Sequence, residues 1–280
     1  MNKRSIRLKE GRPNLEDHVS PSDVYLQKTD GTLQQREFLR RITADGFLHT
    51  GVKSNPAQKN VFFLGGSFVE SMFHDEERRF VAQLARKLPL NVLNGGYSGM
   101  TSMQMATLLI AKIGGLSSPG DFVIAAVPMS DLPQLRTVGS YWTKVKSHAL
   151  IDPPNGSTIS PSLNHTRAAW AAMNSFCSHF GVNFVLMTGP RRMSDFNREQ
   201  WARNAYRRRR ASWEEDAKIA HALNQSAREF ASQEEIQLID LDKQFSQQPD
   251  NFYDHVHLND DGQDAVAQFL AEELSRIIPL

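Results

Sequence analysis

The sequence lacks several features that would identify a particular class of protein. Its single cysteine, Cys177, excludes an internal disulfide framework. It contains no apolar run long enough for a signal peptide or a membrane span, so the expected location is the cytoplasm. It also lacks a charge bias, because 32 Lys and Arg residues stand against 31 Asp and Glu residues. This balance argues against a nucleic-acid partner or an anionic membrane surface.

Motifs for a bound metal are missing as well. The sequence contains neither HExxH nor CxxC, and His179 has no second ligand at helical spacing. Cys177 lies in an apolar helical stretch, where a small core residue is expected rather than a nucleophile. We therefore expect no metal and no dissociable cofactor.

From residue 60 onward, short apolar runs alternate with amphipathic stretches. The runs indicate strands buried on both faces, and the stretches carry apolar residues at the three- and four-residue intervals of helices. The predicted strands are 61–64, 92–93, 122–127, 183–187 and 237–241, and the predicted helices are 77–88, 101–113, 163–180, 212–232 and 260–278. This alternation predicts an α/β protein with a five-stranded parallel sheet, whose ligands gather at the carboxyl ends of the strands.

The beginning of the chain has a different character. Residues 1–57 are polar and show no sustained helical or alternating period. We expect an irregular N-terminal lead-in there, wrapped on the main domain or partly disordered, ahead of a single domain over 58–280.

Three residues carry the groups of acyl-transfer chemistry. Ser67 follows the strand 61–64 in a glycine turn, and Asp254 and His257 lie three residues apart just ahead of the last helix. Together they supply a hydroxyl, a base to take its proton and a carboxylate to orient the base. Each also has an ordinary structural interpretation, such as a helix N-cap for Ser67 or a turn acceptor for Asp254. The neighbouring His255 is out of phase and is expected to be a surface residue.

A tetrahedral intermediate also needs hydrogen-bond donors for its oxyanion. Two loops after predicted strands offer them: the glycine-rich stretch 94–102, and the Ser-Asp pair at 130–131. The candidate oxyanion-hole donors are the amides of Ser67 and Gly99 and the hydroxyl of Ser130. Asp131 is more simply a cap or loop acceptor.

These stretches resemble the four sequence blocks of the SGNH/GDSL hydrolases, in the order of that family. The blocks are Gly-Gly-Ser-Phe at 65–68, Asn-Gly-Gly-Tyr-Ser-Gly-Met-Thr at 94–101, Ser-Asp at 130–131 and Asp-His-Val-His-Leu-Asn-Asp-Asp-Gly at 254–262. The resemblance covers about residues 58–278. It implies a flavodoxin-like three-layer α/β/α sandwich and ester hydrolysis, often of O-acyl groups on carbohydrates or lipids. It makes Ser67 the nucleophile, His257 the general base, Asp254 its partner and Gly99 an oxyanion donor.

The sequence departs from the family pattern at two positions. Gly66 stands where the family usually has Asp, and Ser130 stands where the family has an Asn that donates to the oxyanion. The second change shortens the side chain and leaves one donor, which puts the rate, the substrate or hydrolysis itself in question. The α/β-hydrolase fold is a weaker match, since Val69 stands where its G-x-S-x-G elbow needs the second glycine.

A basic segment follows the fourth predicted strand. Residues 191–210 contain eight arginines against two acidic residues, a formal charge of +6. One hypothesis is a basic, aromatic-bearing rim that binds an anionic substrate, with Arg191, Arg192, Trp201 and Tyr206 as the substrate-binding residues. The alternative is a solvated arginine-rich helix, compensated by the acidic residues at 214–216.

The sequence therefore predicts an SGNH-type serine esterase, a carboxylic ester hydrolase with a Ser-His-Asp catalytic triad. Its expected substrate is a small-molecule or carbohydrate ester, and an O-acetyl ester is the first choice. Two alternatives stay open: an O-acyltransferase acting on a polysaccharide, and a catalytically inactive, hydrolase-like binding protein.

Overall fold

The chain folds around one central sheet, and the computed structural model describes residues 5, 6, 8–144, 150–152 and 156–279. In chain order the strands are β1 (Ser5–Ile6), β2 (Glu16–Val19), β3 (Phe38–Arg41), β4 (Asn60–Gly65), β5 (Asn91–Gly96), β6 (Phe122–Ala126), β7 (Ile151–Asp152), β8 (Asn183–Met187) and β9 (Gln237–Ile239). The helices are α1 (Asp23–Leu26), α2 (Ser67–Glu70), α3 (Phe80–Lys87), α4 (Ser102–Ala111), α5 (Leu163–His179), α6 (Gln200–Ala205), α7 (Arg210–Gln233), α8 (Leu241–Phe245) and α9 (Asp260–Ile277).

The central sheet is parallel throughout and has the strand order β5-β4-β6-β8-β9. Numbered along the chain, this is the order 2-1-3-4-5 of flavodoxin-like folds. The predicted three-layer architecture with a five-stranded parallel sheet is confirmed.

Both faces of the sheet are covered by helices, and β4 shows why its sequence is apolar throughout. Val61 and Phe63 belong to a core shared with α3 and α9, whereas Phe62 and Leu64 belong to a core shared with α4, α5 and α7. Burying each such side chain stabilises the fold by about 1.5–3 kcal/mol. A strand buried on both faces therefore reads as a continuous apolar run rather than an alternating one.

The helix predicted over 77–88 begins later than its pattern suggested. A 3₁₀ turn covers Glu76–Arg78, Arg79 is extended, and α3 begins at Phe80. The Arg79 side chain is fully buried and donates to the carbonyl of Leu39 at 3.0 Å. At the start of α3 the Phe80 amide donates to Oε1 of Gln263 at 2.8 Å.

The N-terminal segment is more regular than predicted. Strands β2 and β3 pair antiparallel, and α1 lies between them in the chain. Phe47 is buried in the core on the α4 side of the sheet, and the amide of Leu48 donates to the carbonyl of Asn94 in β5 at 2.9 Å. The described part of residues 1–57 thus contains short elements and packs on the central domain, which is one of the two arrangements expected for the lead-in. Elements of four residues are too short to show a period in the sequence.

The topology brings the predicted site loops to one edge. Ser67, Gly99 and Ser130 follow β4, β5 and β6, three adjacent parallel strands, at their carboxyl ends. The strand order reverses between β4 and β6. Ligands of open α/β sheets bind at such a point.

Close backbone contact between β5 and α2 sets the position of this edge. A Cβ atom added at Gly96 would lie 2.6 Å from the carbonyl carbon of Val69 and closer still to the amide of Glu70.

We expect Gly96→Ala to lower the free energy of unfolding by at least about 2 kcal/mol, because backbone cannot move aside as a flexible side chain does. Urea denaturation measures this change. Gly115→Ala is the control, since a Cβ there meets no atom within 4 Å, and equal losses for the two variants would contradict the packing argument.

Candidate active site

Ser67 is presented at the tip of a sharp turn from strand to helix. β4 ends at Gly65, Gly66 is the N-cap in an extended conformation, and Ser67 is the first residue of α2. The helix stops after one turn because Ser71 adopts a left-handed conformation with φ 48°. The turn leaves the Ser67 side chain partly exposed at the sheet edge.

The three predicted triad residues meet in a continuous hydrogen-bonded chain. Oγ of Ser67 lies 2.7 Å from Nε2 of His257, and Nδ1 of His257 lies 2.7 Å from Oδ2 of Asp254. Ser67 and His257 are 190 residues apart in sequence. The arrangement suits a histidine that carries its proton on Nδ1 and accepts the serine proton at Nε2.

Asp254 and His257 are held by the loop that carries them. Oδ1 of Asp254 accepts hydrogen bonds from the amides of Val256 and His257, both at 2.8 Å. The ring of Tyr253 stacks on the His257 ring, with centroids 5.5 Å apart and planes 13° apart. The loop therefore fixes the carboxylate through one oxygen and leaves the other oxygen for the imidazole.

The protonation states of the pair depend on each other. Burial alone would raise the pKa of Asp254, but the charge and hydrogen bonds of His257 hold the pKa of this carboxyl below its ordinary value. Burial alone would lower the pKa of His257, but the charge and hydrogen bond of Asp254 raise it above its ordinary value. Asp254 is thus a carboxylate over the working range, and His257 becomes a free base only above the usual histidine pKa.

Two candidate oxyanion donors, both backbone amides, have no acceptor in the described part of the chain. Gly99 has a left-handed conformation with φ 74°. In the described part of the chain, no acceptor takes the amide protons of Ser67 or Gly99. Free amides at the start of a helix and in a glycine turn are suitable donors for a developing negative charge.

The third candidate donor, Ser130, is occupied. Its hydroxyl donates to the carbonyl of Met100, and a hydroxyl has one proton to give. In this position Ser130 fixes the end of the Gly99 loop rather than pointing a proton at the oxyanion. The same loop is held from the other side by Glu70, whose Oε2 accepts from the amide of Ser98 at 2.7 Å and also from its hydroxyl.

The sequence argument missed two residues of the N-terminal segment that lie at the site. The hydroxyl of Tyr25 lies 3.2 Å from Oδ2 of Asp254 and 3.3 Å from Nδ1 of His257. The ammonium of Lys9 lies 5.4 Å from the centre of the Tyr97 ring, and 4.0 Å from where a Cβ on Gly99 would stand. No local pattern in the sequence links these residues to Asp254 and His257, which are more than 200 positions away.

Three of the four residues predicted to form a substrate-binding rim are buried in the structure. Arg191, Arg192 and Trp201 are 5%, 7% and 3% exposed. Trp201 and Tyr206 pack on Trp213, and the guanidinium of Arg191 lies over the same ring, 4.4 Å from its centre.

Arg192 forms an ion pair with Asp30 at 2.5 Å and donates to the carbonyl of Phe252 at 2.8 Å. Aromatic packing and this ion pair turn Arg191, Arg192 and Trp201 inward, whereas Arg198 and the arginines at 207–210 are exposed. The compensation expected further along the chain is present, since Arg210 pairs with Glu214 at 2.7 Å.

Two neighbouring residues also have defined positions. His255, expected at the surface, is half-buried, with its ring nearly perpendicular to the Tyr206 ring, and burial lowers the pKa of His255 to about 4. Asp131 accepts from the amide of Ser102 at 3.0 Å and from its hydroxyl at 2.5 Å, so it supports the start of α4 as a loop acceptor.

Neither a metal centre nor a membrane span emerges from the described residues. No group of three or more His, Cys, Asp or Glu side chains within them is placed to hold a metal ion. Likewise, none of their helices combines the length and the apolar character needed to cross a bilayer.

Solved structures with the same fold include enzymes that act on esters. A GDSL-like lipase from Bacteroides thetaiotaomicron is 14% identical with a TM-score of 0.50, and the match covers 81% of this chain and 92% of the lipase. An acetylxylan esterase from Geobacillus stearothermophilus is 13% identical with a TM-score of 0.54, covering 77% of this chain and 94% of the esterase. A second acetyl xylan esterase is 16% identical with a TM-score of 0.51, covering 77% and 99%.

No protein-family profile and no curated protein matches the chain by sequence. At identities this low, the structural likeness shows the fold: this chain has the three-layer α/β/α sandwich of GDSL-like lipases and acetylxylan esterases, as its sequence blocks predicted.

The paired protonation states give a pH prediction. If His257 acts as a general base, kcat/KM rises as the imidazole loses its proton, and its raised pKa places the midpoint above 6.5. We expect Asp254→Asn to lower this midpoint and to reduce kcat/KM by roughly 10³- to 10⁴-fold, because the carboxylate holds the tautomer and stabilises the imidazolium. A pH series with a chromogenic acetate ester measures both changes.

The control for this experiment is His255→Gln, which changes the other histidine of the loop. We expect its midpoint to stay close to that of the wild type, because burial lowers the pKa of His255 to about 4 and leaves that ring neutral where His257 titrates. Equal activity losses at positions 255 and 257 would mean that the register of the triad is wrong.

The position of Ser130 gives a second prediction. Because its proton goes to Met100, we expect Ser130→Ala to reduce kcat less than about tenfold, whereas loss of a true oxyanion donor costs roughly 10²- to 10³-fold. Steady-state kinetics on the same ester, with the melting temperature as a check on folding, measure the effect. A loss of 10² or more would show that the hydroxyl turns toward the oxyanion during the reaction.

Proposed function

We propose that the protein is a serine ester hydrolase of the SGNH kind. The observation that carries the proposal is the chain of two 2.7 Å contacts from Ser67 through His257 to Asp254, placed at the carboxyl edge of the sheet. Nucleophile, base and orienting carboxylate are already within hydrogen-bonding reach without any movement of the loops.

In the proposed mechanism, Nε2 of His257 takes the proton of Ser67 while Oγ attacks the carbonyl carbon of the ester. The oxyanion that forms accepts hydrogen bonds from the amides of Ser67 and Gly99. The protonated His257 then gives its proton to the leaving alcohol, and an acyl-enzyme remains. Water, deprotonated by His257, attacks the acyl carbon, releases the acid and regenerates Ser67.

We propose an O-acetyl ester of a carbohydrate as the substrate class. Two kinds of support point there: the sequence blocks of the SGNH/GDSL hydrolases, and the fold shared with two acetylxylan esterases. The mechanism draws only on side chains and amides of this chain, so the proposal includes no cofactor.

Ser130 is the observation that favours a second candidate. Because the hydroxyl of Ser130 donates to the carbonyl of Met100, the proposed oxyanion hole has two backbone donors and no side-chain donor. One missing donor typically costs about 2.7–4 kcal/mol of transition-state stabilisation. The alternatives are therefore a polysaccharide O-acyltransferase with a slow hydrolytic step, or a binding protein without turnover.

A panel of p-nitrophenyl esters of increasing chain length, together with acetylated xylo-oligosaccharides, tests the proposal. We expect release of acetate with a preference for the shortest acyl group, and no release by Ser67→Ala. Each reaction is repeated with an unacetylated sugar acceptor and analysed by mass spectrometry. Acetyl groups appearing on the acceptor would favour the transferase. An absence of turnover, together with no fluorophosphonate adduct on the wild type, would contradict both catalytic candidates.

A further inference from the structure

The N-terminal segment contributes a hydroxyl group to the triad. The oxygen of Tyr25 lies 3.2 Å from Oδ2 of Asp254 and 3.3 Å from Nδ1 of His257, so three polar atoms form a small triangle. Oδ2 and Nδ1 are themselves 2.7 Å apart. Tyr25 therefore contacts both members of the pair that controls the proton of Ser67.

Several contacts keep Tyr25 in this position. The side chain of Ser22 caps α1 by accepting from the amide of Tyr25 at 3.2 Å. The Tyr25 ring packs on Phe73, with centroids 5.3 Å apart, in a cluster that also contains Phe38 and Tyr253. The ring is thus held by packing that does not involve its hydroxyl.

The segment around Tyr25 is also tied to the loop that carries the triad. The amide of Asp30 donates to the carbonyl of Tyr253 at 2.8 Å, and the carboxylate of Asp30 pairs with Arg192 at 2.5 Å. The side-chain amide of Asn204 donates to the carbonyl of Gln27 at 2.7 Å. These contacts come directly after α1, at residues 27 and 30, and they hold the end of the helix that carries Tyr25 in place.

The direction of the proton follows from chemistry. A carboxylate has only lone pairs to offer, so the phenol is the donor in the contact with Oδ2 of Asp254. Burial and the negative charge of Asp254 raise the pKa of Tyr25 well above its ordinary value, so the phenol keeps its proton. Oδ2 thus accepts from Tyr25 as well as from Nδ1–H of His257, and it shares its negative charge between two donors.

We propose that Tyr25 is a positioning residue of the proposed triad. Its hydroxyl orients the Asp254 carboxylate and reduces the stabilisation that this carboxylate gives to protonated His257. The proposal rests on the proposed function for its catalytic meaning, because His257 must be free of its proton to act as a base. Without the phenol donor, the full charge of Oδ2 would face the imidazole. The imidazolium would be more stable, and the base would be available only at higher pH.

Other titratable groups also lie near His257. Glu70 raises the pKa of His257 from the side of α2. His74 and His255 interact electrostatically with His257, and burial keeps the pKa of each below the ordinary value. Tyr253 stacks on the ring and remains protonated because burial raises its pKa, and it also shares a hydrogen bond with the Tyr25 hydroxyl. Of these groups only Tyr253 is a hydrogen-bond partner of that hydroxyl, so a difference in the His257 titration reports the Tyr25 hydroxyl together with its bond to Tyr253.

The test is Tyr25→Phe, which keeps the ring in its cluster and removes only the oxygen. The downfield proton resonance of Nδ1–H, assigned by its loss in His257→Ala, is followed by NMR as a function of pH. We expect its titration midpoint to rise by roughly half a pH unit in Tyr25→Phe. We also expect kcat/KM on an acetate ester to fall about threefold to tenfold, with the loss in kcat.

Tyr141→Phe is the matched control. It also removes a buried phenol oxygen, which lies 2.8 Å from Oγ1 of Thr166 and hydrogen-bonds with Asp131; in the described structure this oxygen has no hydrogen bond to Ser67, Asp254 or His257. We expect this variant to lower the melting temperature without moving the His257 midpoint.

An unchanged or lowered midpoint in Tyr25→Phe would overturn the proposal and leave Tyr25 a packing residue. The NMR titration does not need turnover, so this outcome is separate from failure of the proposed function, which would appear as a wild type without ester hydrolysis or a fluorophosphonate adduct.

Discussion

The site depends on keeping one charged carboxylate, Asp254, inside the protein. A buried carboxylate is costly unless its oxygens accept hydrogen bonds. Here Oδ1 accepts two backbone amides, and Oδ2 faces Nδ1 of His257 and the hydroxyl of Tyr25. Satisfying this one group fixes the ring of His257, and the ring in turn meets the side chain of Ser67. The C-terminal loop, the N-terminal segment and the end of β4 are thereby joined at one point.

Backbone packing supplies the second constraint, because the loops of the site must approach closely. Gly96 lets β5 pass against the backbone of α2, and Glu70 at the end of α2 holds Ser98. The glycines of this edge therefore set the position of the Gly99 amide relative to Ser67. The same close contacts stabilise the fold and position the loops of the site. A substitution that disturbs this packing should therefore also disturb the oxyanion donors.

The sheet and the pairing of Asp254 with His257 were predictable from sequence, because both leave strong local patterns. Strands buried on both faces give continuous apolar runs, as at 61–64, and the Asp-x-x-His spacing keeps Asp254 and His257 on one loop. The N-terminal segment gives no such signal, since the value of Tyr25 lies in a contact 229 residues away. The substrate-binding prediction for Arg191 and Trp201 failed for a related reason: charge composition alone does not reveal that packing on Trp213 buries these two side chains.

The central claim is that Ser67 forms a covalent acyl-enzyme with His257 as its base. The most direct measurement is rapid acid quenching of the protein with p-nitrophenyl acetate, followed by peptide mapping by mass spectrometry. The account predicts an acetyl group on Ser67 that forms within a single turnover, accumulates when deacylation is slow, and is absent in His257→Ala. Acetate release by the wild type with no acetyl group on Ser67 at any quench time, or acetylation of another residue with equal activity in Ser67→Ala, would contradict it.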